Sequence, residues 1–231
     1  MESDMSDALR LHFAPDNASL IVRLVLEELG QPYETVLVDR AARAQDGAAY
    51  RAINPAGLIP ALETPQGPIF ETAAILLWLA DRHGRLAPRP DSPQRGRFLS
   101  WLFFTSNTLH AYLRVLFYPD RYAADAGALH KRLRIHLALL DAEAANGPDW
   151  LSPDAPSVLT WYLACLLRWM ALYPKAGNRD WFALADTPQL QRIFVALEAR
   201  PPTRAAITAE GLGPRPFTAP VHPTPPEGSA T

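Results

Sequence analysis

The sequence has few of the features that would direct a protein to nucleic acid, to a membrane or to export. Its 231 residues include one cysteine, which excludes an intrachain disulfide bond and a thiolate metal site of ordinary spacing. Charged residues make up 20% of the chain and the formal net charge is -2, so no strong field attracts nucleic acid or an anionic membrane. We therefore expect neither partner and no metal.

Long apolar runs are also missing. The acidic start of the chain lacks the basic and apolar parts of a signal peptide. The longest apolar run, residues 158–167, ends at Arg168 and is too short to cross a bilayer. It contains Cys165, which we interpret as a small buried hydrophobic residue and not as a nucleophile. These features predict a cytoplasmic globular protein, and 48% hydrophobic content can supply its core.

The first part of the chain alternates between strand and helix patterns. The predicted elements are a strand at 9–13, a helix at 18–29 capped by Asp16 or Asn17, a strand at 33–38, a short helical or irregular segment at 41–52, a hairpin of 60–64 with 68–70, and a helix at 71–82. A parallel pair followed by an antiparallel hairpin predicts a thioredoxin-like α/β domain over residues 8–84.

The rest of the chain has helical spacing only. Residues 85–91 are a proline-rich linker, and residues 92–210 are predicted to form an all-helical bundle domain. Its predicted helices lie at 93–117, 124–145, 156–172 and 188–199. Residues 211–231 hold many of the 23 prolines without periodicity, so we expect an extended or disordered tail.

Two short motifs carry a resemblance to a known family. The motif NPAGLIPAL, residues 54–62, is followed at the start of the third helix by Glu71 and Thr72. With the two-domain pattern, they make residues 8–205 resemble the cytosolic glutathione S-transferases. The resemblance implies a cis peptide bond between Ile59 and Pro60, which turns the main chain of Ile59 toward the cysteinyl backbone of glutathione. Taken alone, Pro60 also fits a proline that opens an edge strand.

The same resemblance implies that Glu71 and Thr72 hold the γ-glutamyl end of glutathione. The Thr72 N–H group and the helix N-terminus suit the carboxylate, while the Glu71 carboxylate suits the α-ammonium group. Without the nearby Ile59-Pro60 motif, an ordinary helix start would be the better interpretation. Leu58 also falls in the implied glutathione site, where relatives often have a polar or basic residue. A lower affinity for glutathione is therefore expected.

The first loop departs from the family pattern. The segment LHFAPDNASL, residues 11–20, resembles the beginning of the bacterial beta class, whose tyrosine and cysteine fall on Phe13 and Ala18 here. Both reactive side chains are missing. Ser19 offers a hydroxyl near the implied position of the glutathione sulfur, so we predict it as the thiolate stabiliser. The alternatives are a backbone N–H group in that role, or Ser19 as a helix cap without ligand contact.

The helical domain contributes a second candidate catalytic residue. His110 lies in WLFFTSNTLHAYLRVLFYP, residues 101–119, and aligns with a beta-class histidine near the glutathione sulfur. Such a histidine can donate a hydrogen bond to the thiolate or protonate a leaving group. Without the family, a lone histidine in an apolar helix is more often a satisfied core residue. Further along, Ser157 and Thr160 occupy the position of a capping box.

The resemblance implies an enzyme with glutathione as co-substrate. We predict a transferase in which the glutathione thiolate attacks a small apolar electrophile in a pocket between the domains, in detoxification, as a homodimer. One alternative is a binding protein for glutathione or a hydrophobic ligand without catalysis. Another is a glutathione-dependent reductase or lyase on the same site. The missing cysteine in the first loop argues against a protein mixed disulfide but not against direct attack by glutathione.

Overall fold

The structure, a computed structural model, describes residues 8–119, 121–122, 125–176 and 179–230. The predictions above also covered residues 1–7, 120, 123–124, 177–178 and 231, which lie outside this part. The chain divides into two compact units. The first comprises residues up to 83 together with 201–214 and the chain from 223 onward, and the second comprises residues 84–200 and 215–222. Among the described residues, no helix is both long enough and apolar enough to cross a membrane.

The first unit is built on a four-stranded sheet with the strand order β2, β1, β3, β4. Strand β1 pairs in parallel with β2 and antiparallel with β3, and β3 pairs antiparallel with β4. The strands are β1 (Leu9–Phe13), β2 (Tyr33–Leu37), β3 (Ala61–Thr64) and β4 (Gly67–Phe70). The helices are α1 (Ser19–Leu29), α2 (Ala48–Arg51), which follows a 3-10 turn (Ala44–Asp46), and α3 (Thr72–His83). This order confirms the predicted thioredoxin-like architecture.

The core of the first unit follows from its apolar spacing. Leu11 and Phe13 of β1 and Leu62 of β3 are at most 1% exposed, because these two strands occupy the centre of the sheet. Helix α1 is buried along most of its length. It packs against α3 and against a further helix, α9 (Pro201–Glu210). Because α1 is enclosed in this way, its sequence is apolar on nearly every side.

Helix α9 belongs to the first unit, although residues 92–210 were predicted as one helical domain. Its last residue, Glu210, is fully buried and accepts a hydrogen bond from Arg23 Nε at 2.7 Å. The second carboxylate oxygen of Glu210 accepts from the N–H group of Asp16 at 2.8 Å. A buried charge needs such partners, and both partners lie in the thioredoxin-like unit. This pairing explains why the chain divides at residue 200.

The second unit is helical, as predicted. Its helices are α4 (Arg95–Phe104), α5 (Ala111–Phe117), α6 (Ala126–Ala145), α7 (Val158–Leu172) and α8 (Pro188–Glu198). A π-helical turn (Thr105–His110) joins α4 to α5, and 3-10 turns occur at Asp149–Leu151 and Leu184–Asp186.

Helix α7 lies at the centre of the second unit. All of its residues except Ala171 are buried, including Cys165, so the predicted burial of that cysteine is confirmed. The predicted capping box is also present. Ser157 Oγ accepts from the N–H of Thr160 at 3.4 Å, and Thr160 Oγ1 accepts from the N–H of Ser157 at 3.0 Å.

The segment 211–230, all of it within the described part of the chain, contains no helix or strand. It was predicted to be extended or disordered, and the structure shows irregular chain that is packed in place. Two residues of this segment, Leu212 and Phe217, are fully buried. These two residues therefore belong to the buried core, whereas Val221 is exposed.

Candidate functional site in the thioredoxin-like unit

The loop before β3 is held in one shape by buried polar groups. The carbonyl oxygen of Leu58 accepts hydrogen bonds from Tyr50 Oη at 2.7 Å and from Asn54 Nδ2 at 2.6 Å. Asn54 is 2% exposed, and its Oδ1 accepts from the N–H of Ala56 at 3.0 Å. The roles of Tyr50 and Asn54 were not predicted from the sequence. The polar Asn54 at the start of the otherwise apolar NPAGLIPAL motif was the available signal, and its burial is visible only in the structure.

The main chain of Ile59 is open to a ligand. The peptide bond between Ile59 and Pro60 is cis, as predicted. The side chain of Ile59 packs against a small buried cluster that includes Val38 and Tyr50. Among the residues that the structure describes, none makes a hydrogen bond to the N–H or C=O group of Ile59. An extended peptide can therefore pair with both groups as an added strand.

Glu71 and Thr72 form the beginning of α3. Glu71 is exposed and has a φ of +70°, a left-handed conformation that costs about 1–2 kcal/mol for a residue with a Cβ atom. Its carbonyl oxygen accepts the first helical hydrogen bond, from Ile75 N–H at 3.0 Å. Thr72 is buried and is the first residue of the 12-residue helix. Strained residues of this kind often occur at ligand sites, and helix N-termini favour carboxylates.

Ser19 lies at the start of α1 and is fully buried. Its hydroxyl donates a hydrogen bond to the carbonyl oxygen of Ala14 at 3.0 Å and accepts one from the N–H of Ala14 at 3.2 Å. The single hydroxyl proton is therefore directed at the loop backbone. The helix cap also differs from the prediction, because Ala18 occupies the cap position and no side chain in the described part of the chain caps the helix. In this arrangement Ser19 fixes the shape of the first loop.

The sheet register brings these segments to one edge. Strand β1 ends at Phe13. The residue before Phe13, His12, pairs with Ala61, which is the first residue of the antiparallel strand β3. The loop after β1 and the loop before β3 therefore meet at the same edge. Ala61 also pairs with Phe70, the last residue of β4, so α3 begins there too. The predicted residues of the first unit, from Ser19 to the start of α3, are thus grouped around one edge of the sheet.

His110 lies in the second unit, at the end of the π-helical turn. Its Nδ1 is 2.8 Å from the hydroxyl oxygen of Tyr162, and its ring centre is 5.9 Å from that of Trp169. Desolvation by burial, together with the charge of Arg114, lowers the pKa of His110 to about 4. Only about 0.1% of such a group is protonated at pH 7, so it is available as a neutral hydrogen-bonding group. Protonation of a leaving group by His110 at neutral pH is not supported.

Comparison with known proteins identifies the family. The N-terminal domain family of glutathione S-transferases matches residues 18–82. The glutathione S-transferase GstB of Escherichia coli strain K12 is 32% identical over 200 residues, which covers 80% of this chain and 90% of GstB. The chain belongs to the glutathione S-transferase family. The predicted glutathione transferase-like enzyme is thereby confirmed at the level of the family.

Two other proteins resemble this chain over most of its length. The structure of a sphingomonad glutathione S-transferase complexed with glutathione has a TM-score of 0.71 and 34% identity, and it covers 88% of this chain and 100% of that one. The disulfide-bond oxidoreductase YfcG of Escherichia coli strain K12 is 27% identical over 222 residues, 88% of this chain and 96% of YfcG. The sphingomonad structure agrees with the fold described above.

Proposed function

We propose that this transferase binds glutathione along Ile59 and directs its thiolate at a small apolar electrophile. The observation that carries the proposal is the main chain of Ile59, which has no hydrogen-bond partner among the described residues and lies at the sheet edge where α3 begins. The cysteinyl backbone pairs with Ile59, and the N-terminus of α3 at Thr72 receives the γ-glutamyl carboxylate. The exposed Glu71 carboxylate takes the α-ammonium group. Together these groups recognise a zwitterion.

Activation of the thiol is the second part of the proposal. A free thiol with a pKa near 8.5 is only about 3% ionised at pH 7, and lowering that pKa by about two units requires roughly 2.7 kcal/mol. We assign this stabilisation to the N-terminus of the 11-residue helix α1 and to backbone N–H groups of the loop before it. Ser19 supports that loop through both hydrogen bonds to Ala14. His110, in its neutral form, is proposed as a further hydrogen-bond donor to the thiolate on the family resemblance.

Calorimetric titration with reduced glutathione tests the binding half. We expect saturable binding of one glutathione per chain, and about tenfold weaker binding in Glu71→Gln because the ammonium group loses a charged partner. Glu34→Gln is the matched control, since Glu34 lies near the start of β2, at the opposite edge of the sheet. If millimolar glutathione produces no binding heat with the full chain, the central proposal is wrong.

The activation half is tested by conjugation of a chlorodinitrobenzene and by the ultraviolet absorbance of the bound thiolate. Ser19→Ala should lower kcat/KM and raise the pKa of the bound thiol, because the loop loses two hydrogen bonds at a fully buried position. Ser100→Ala removes an exposed serine hydroxyl from α4 and should change neither. Unchanged conjugation in Ser19→Ala would remove Ser19 from the mechanism and leave the binding proposal intact.

Glutathione-dependent reduction is a second candidate, and the similarity to YfcG favours it. The first loop has no cysteine, so the glutathione thiolate itself would attack a disulfide sulfur and release the other thiolate. A second glutathione would then displace the product thiolate and leave oxidised glutathione. Formation of oxidised glutathione from a small disulfide, without conjugation of the aryl halide, would favour this reaction. Binding without either turnover would favour a carrier.

The finer parts of the proposal are a cytoplasmic location, a homodimer and a role in detoxification. They rest on the family resemblance. Light scattering tests the assembly directly, and we expect twice the mass of one chain. A mass equal to one chain would contradict the homodimer.

A further inference from the structure

The irregular chain after α9 is fastened in the second unit by two charged side chains. The Glu198 carboxylate accepts hydrogen bonds from the N–H groups of Phe217 and Thr218 and from the Thr218 hydroxyl, each at 2.8 Å. Phe217 is fully buried beside Trp161, with ring centres 6.3 Å apart. Residues 217–218 are therefore a fixed point in the course of the tail.

Arg168 provides a second fixed point. It lies in α7, is 0% exposed, and donates hydrogen bonds to the carbonyl oxygens of Pro216 at 3.2 Å and Val221 at 3.0 Å. A guanidinium group in such a place would be very costly without partners of this kind. Arg168, the charged residue that ends the longest apolar run of the sequence, is thus hydrogen-bonded to the tail.

The chain then returns to the first unit. The N–H group of Thr224 donates to the carbonyl oxygen of Gly211 at 2.9 Å, which fixes the start of residues 223–230. Near the end of this segment Gly228 has a φ of +70°. A Cβ atom on Gly228 would lie 2.7 Å from Leu37 Cδ1 and 3.2 Å from Pro15 Cδ. The backbone of the segment is therefore in close contact with both residues.

Both contacts lie at the edge of the sheet that holds the proposed glutathione site. Leu37 is the last residue of β2, and Pro15 is in the loop between β1 and α1. The next residue of that loop, Asp16, donates its N–H group to Glu210 at 2.8 Å. Residues 15 and 16 are thus held from two sides by the C-terminal part of the chain, once by α9 and once by the segment 223–230.

We propose that residues 223–230, called here the tail clasp, position the loop between β1 and α1 for the glutathione sulfur. This inference rests on the proposed function and assigns the clasp an indirect role. With Pro15 and Asp16 held, the loop does not need to become ordered when glutathione binds, and pre-ordered sites bind more tightly. The clasp touches the loop and not the ligand, so it is a positioning element.

A chain that ends at His222 tests the clasp. It keeps every bond that Glu198 and Arg168 make to residues 216–221, so the packing of the second unit is preserved. We expect amide hydrogen exchange in residues 14–18 to become at least about tenfold faster, because the loop loses its contact with Gly228. Glutathione affinity should fall about fivefold, and the pKa of the bound thiol should rise.

A pair of point variants keeps the test valid if the shortened chain folds poorly. Gly228→Val introduces a side chain where a Cβ atom already meets Leu37 and Pro15. Gly147→Val imposes a similar backbone strain, since Gly147 has a φ of +63°, but a Cβ atom there meets nothing within 4 Å. We expect faster loop exchange, weaker glutathione binding and a raised thiol pKa only in Gly228→Val.

The outcomes separate this inference from the proposed function. If the full chain binds glutathione and both altered tails leave loop exchange, affinity and thiol pKa unchanged, the clasp is refuted. Faster amide exchange in the loop with unchanged glutathione affinity and thiol pKa also refutes the clasp. In that case the tail would order the loop, but the order of the loop would not contribute to glutathione binding or to the thiol pKa. If the full chain does not bind glutathione, the proposed function fails, and the clasp's role in positioning the sulfur fails with it.

Discussion

Replacing Glu71 by glycine should make the protein more stable and a poorer binder of glutathione. Glu71 has a φ of +70°, which costs about 1–2 kcal/mol for any residue with a Cβ atom. Glycine removes this strain but adds about 0.5–1 kcal/mol of conformational entropy to the unfolded chain. Within the described part of the chain the Glu71 carboxylate has no partner to lose. The net gain in the free energy of unfolding is about 0.5–1 kcal/mol, or about 2 °C in Tm.

The same change should weaken glutathione binding about tenfold. The carboxylate is exposed, so its bond to the ammonium group falls at the low end of charge-assisted hydrogen bonds, about 1.4 kcal/mol. Urea unfolding and calorimetric titration of the same preparation measure both effects. Arg43→Gly is the control, since Arg43 is also exposed and has a φ of +54°. It should leave glutathione affinity unchanged. A Glu71→Gly variant that is less stable, or that binds glutathione normally, would refute the reasoning.

Three further predictions concern stability. Because burial lowers the pKa of His110 to about 4, the unfolded chain takes up a proton between about pH 6.5 and 4 that the folded chain does not. The free energy of unfolding should therefore fall as the pH drops through this window, and this group contributes up to roughly 3 kcal/mol of the loss. In urea unfolding, the free energy of unfolding of His110→Asn should depend less steeply on pH than that of the unaltered protein. An equal slope in the variant would contradict the low pKa. Glu210→Gln leaves the buried Arg23 charge without its counterion and should lower the free energy of unfolding by about 3 kcal/mol. The double variant Arg23→Met, Glu210→Gln should lose less free energy of unfolding than the sum of the two single variants. Additive losses in urea unfolding would show that the two side chains act independently. Ser157→Ala removes the cap of α7 and a hydrogen bond to the Trp150 carbonyl, so thermal unfolding should show a loss of about 1–2 kcal/mol, while no change in Tm would contradict the role of the cap.

Much of the fold was predictable because it is encoded in local spacing. The strands and helices of residues 9–83 lie within a few residues of their predicted positions, since the periodicity of apolar residues and the turn residues decide them. The capping box at Ser157 and Thr160 is a four-residue pattern, and the sequence displays it directly. The helical pattern did not reveal the π-helical turn before His110, because apolar spacing alone does not distinguish π from α geometry.

The candidate site, like the fold, was predictable only in part. The motif from Asn54 to Thr72 predicted where a ligand's backbone and its charged end would be received, because the proposed contacts use main-chain groups and a helix terminus. It did not show the hydrogen bonds that hold the Leu58 carbonyl. For Ser19, the sequence showed a hydroxyl near the site, while the structure shows that its proton is donated to Ala14.

The sequence by itself determined the succession of elements, the burial of Cys165 and the family to which the chain belongs. Only the tertiary structure decided which groups Arg168 and Glu210 bind. The partners of Arg168 lie 48 and 53 residues away along the chain, and those of Glu210 lie 194 and 187 residues away. The tertiary structure also decided the ionisation of His110 and the return of the proline-rich tail to the first loop. Burial and hydrogen bonding between distant segments are properties of packing, and no local pattern along the chain records them.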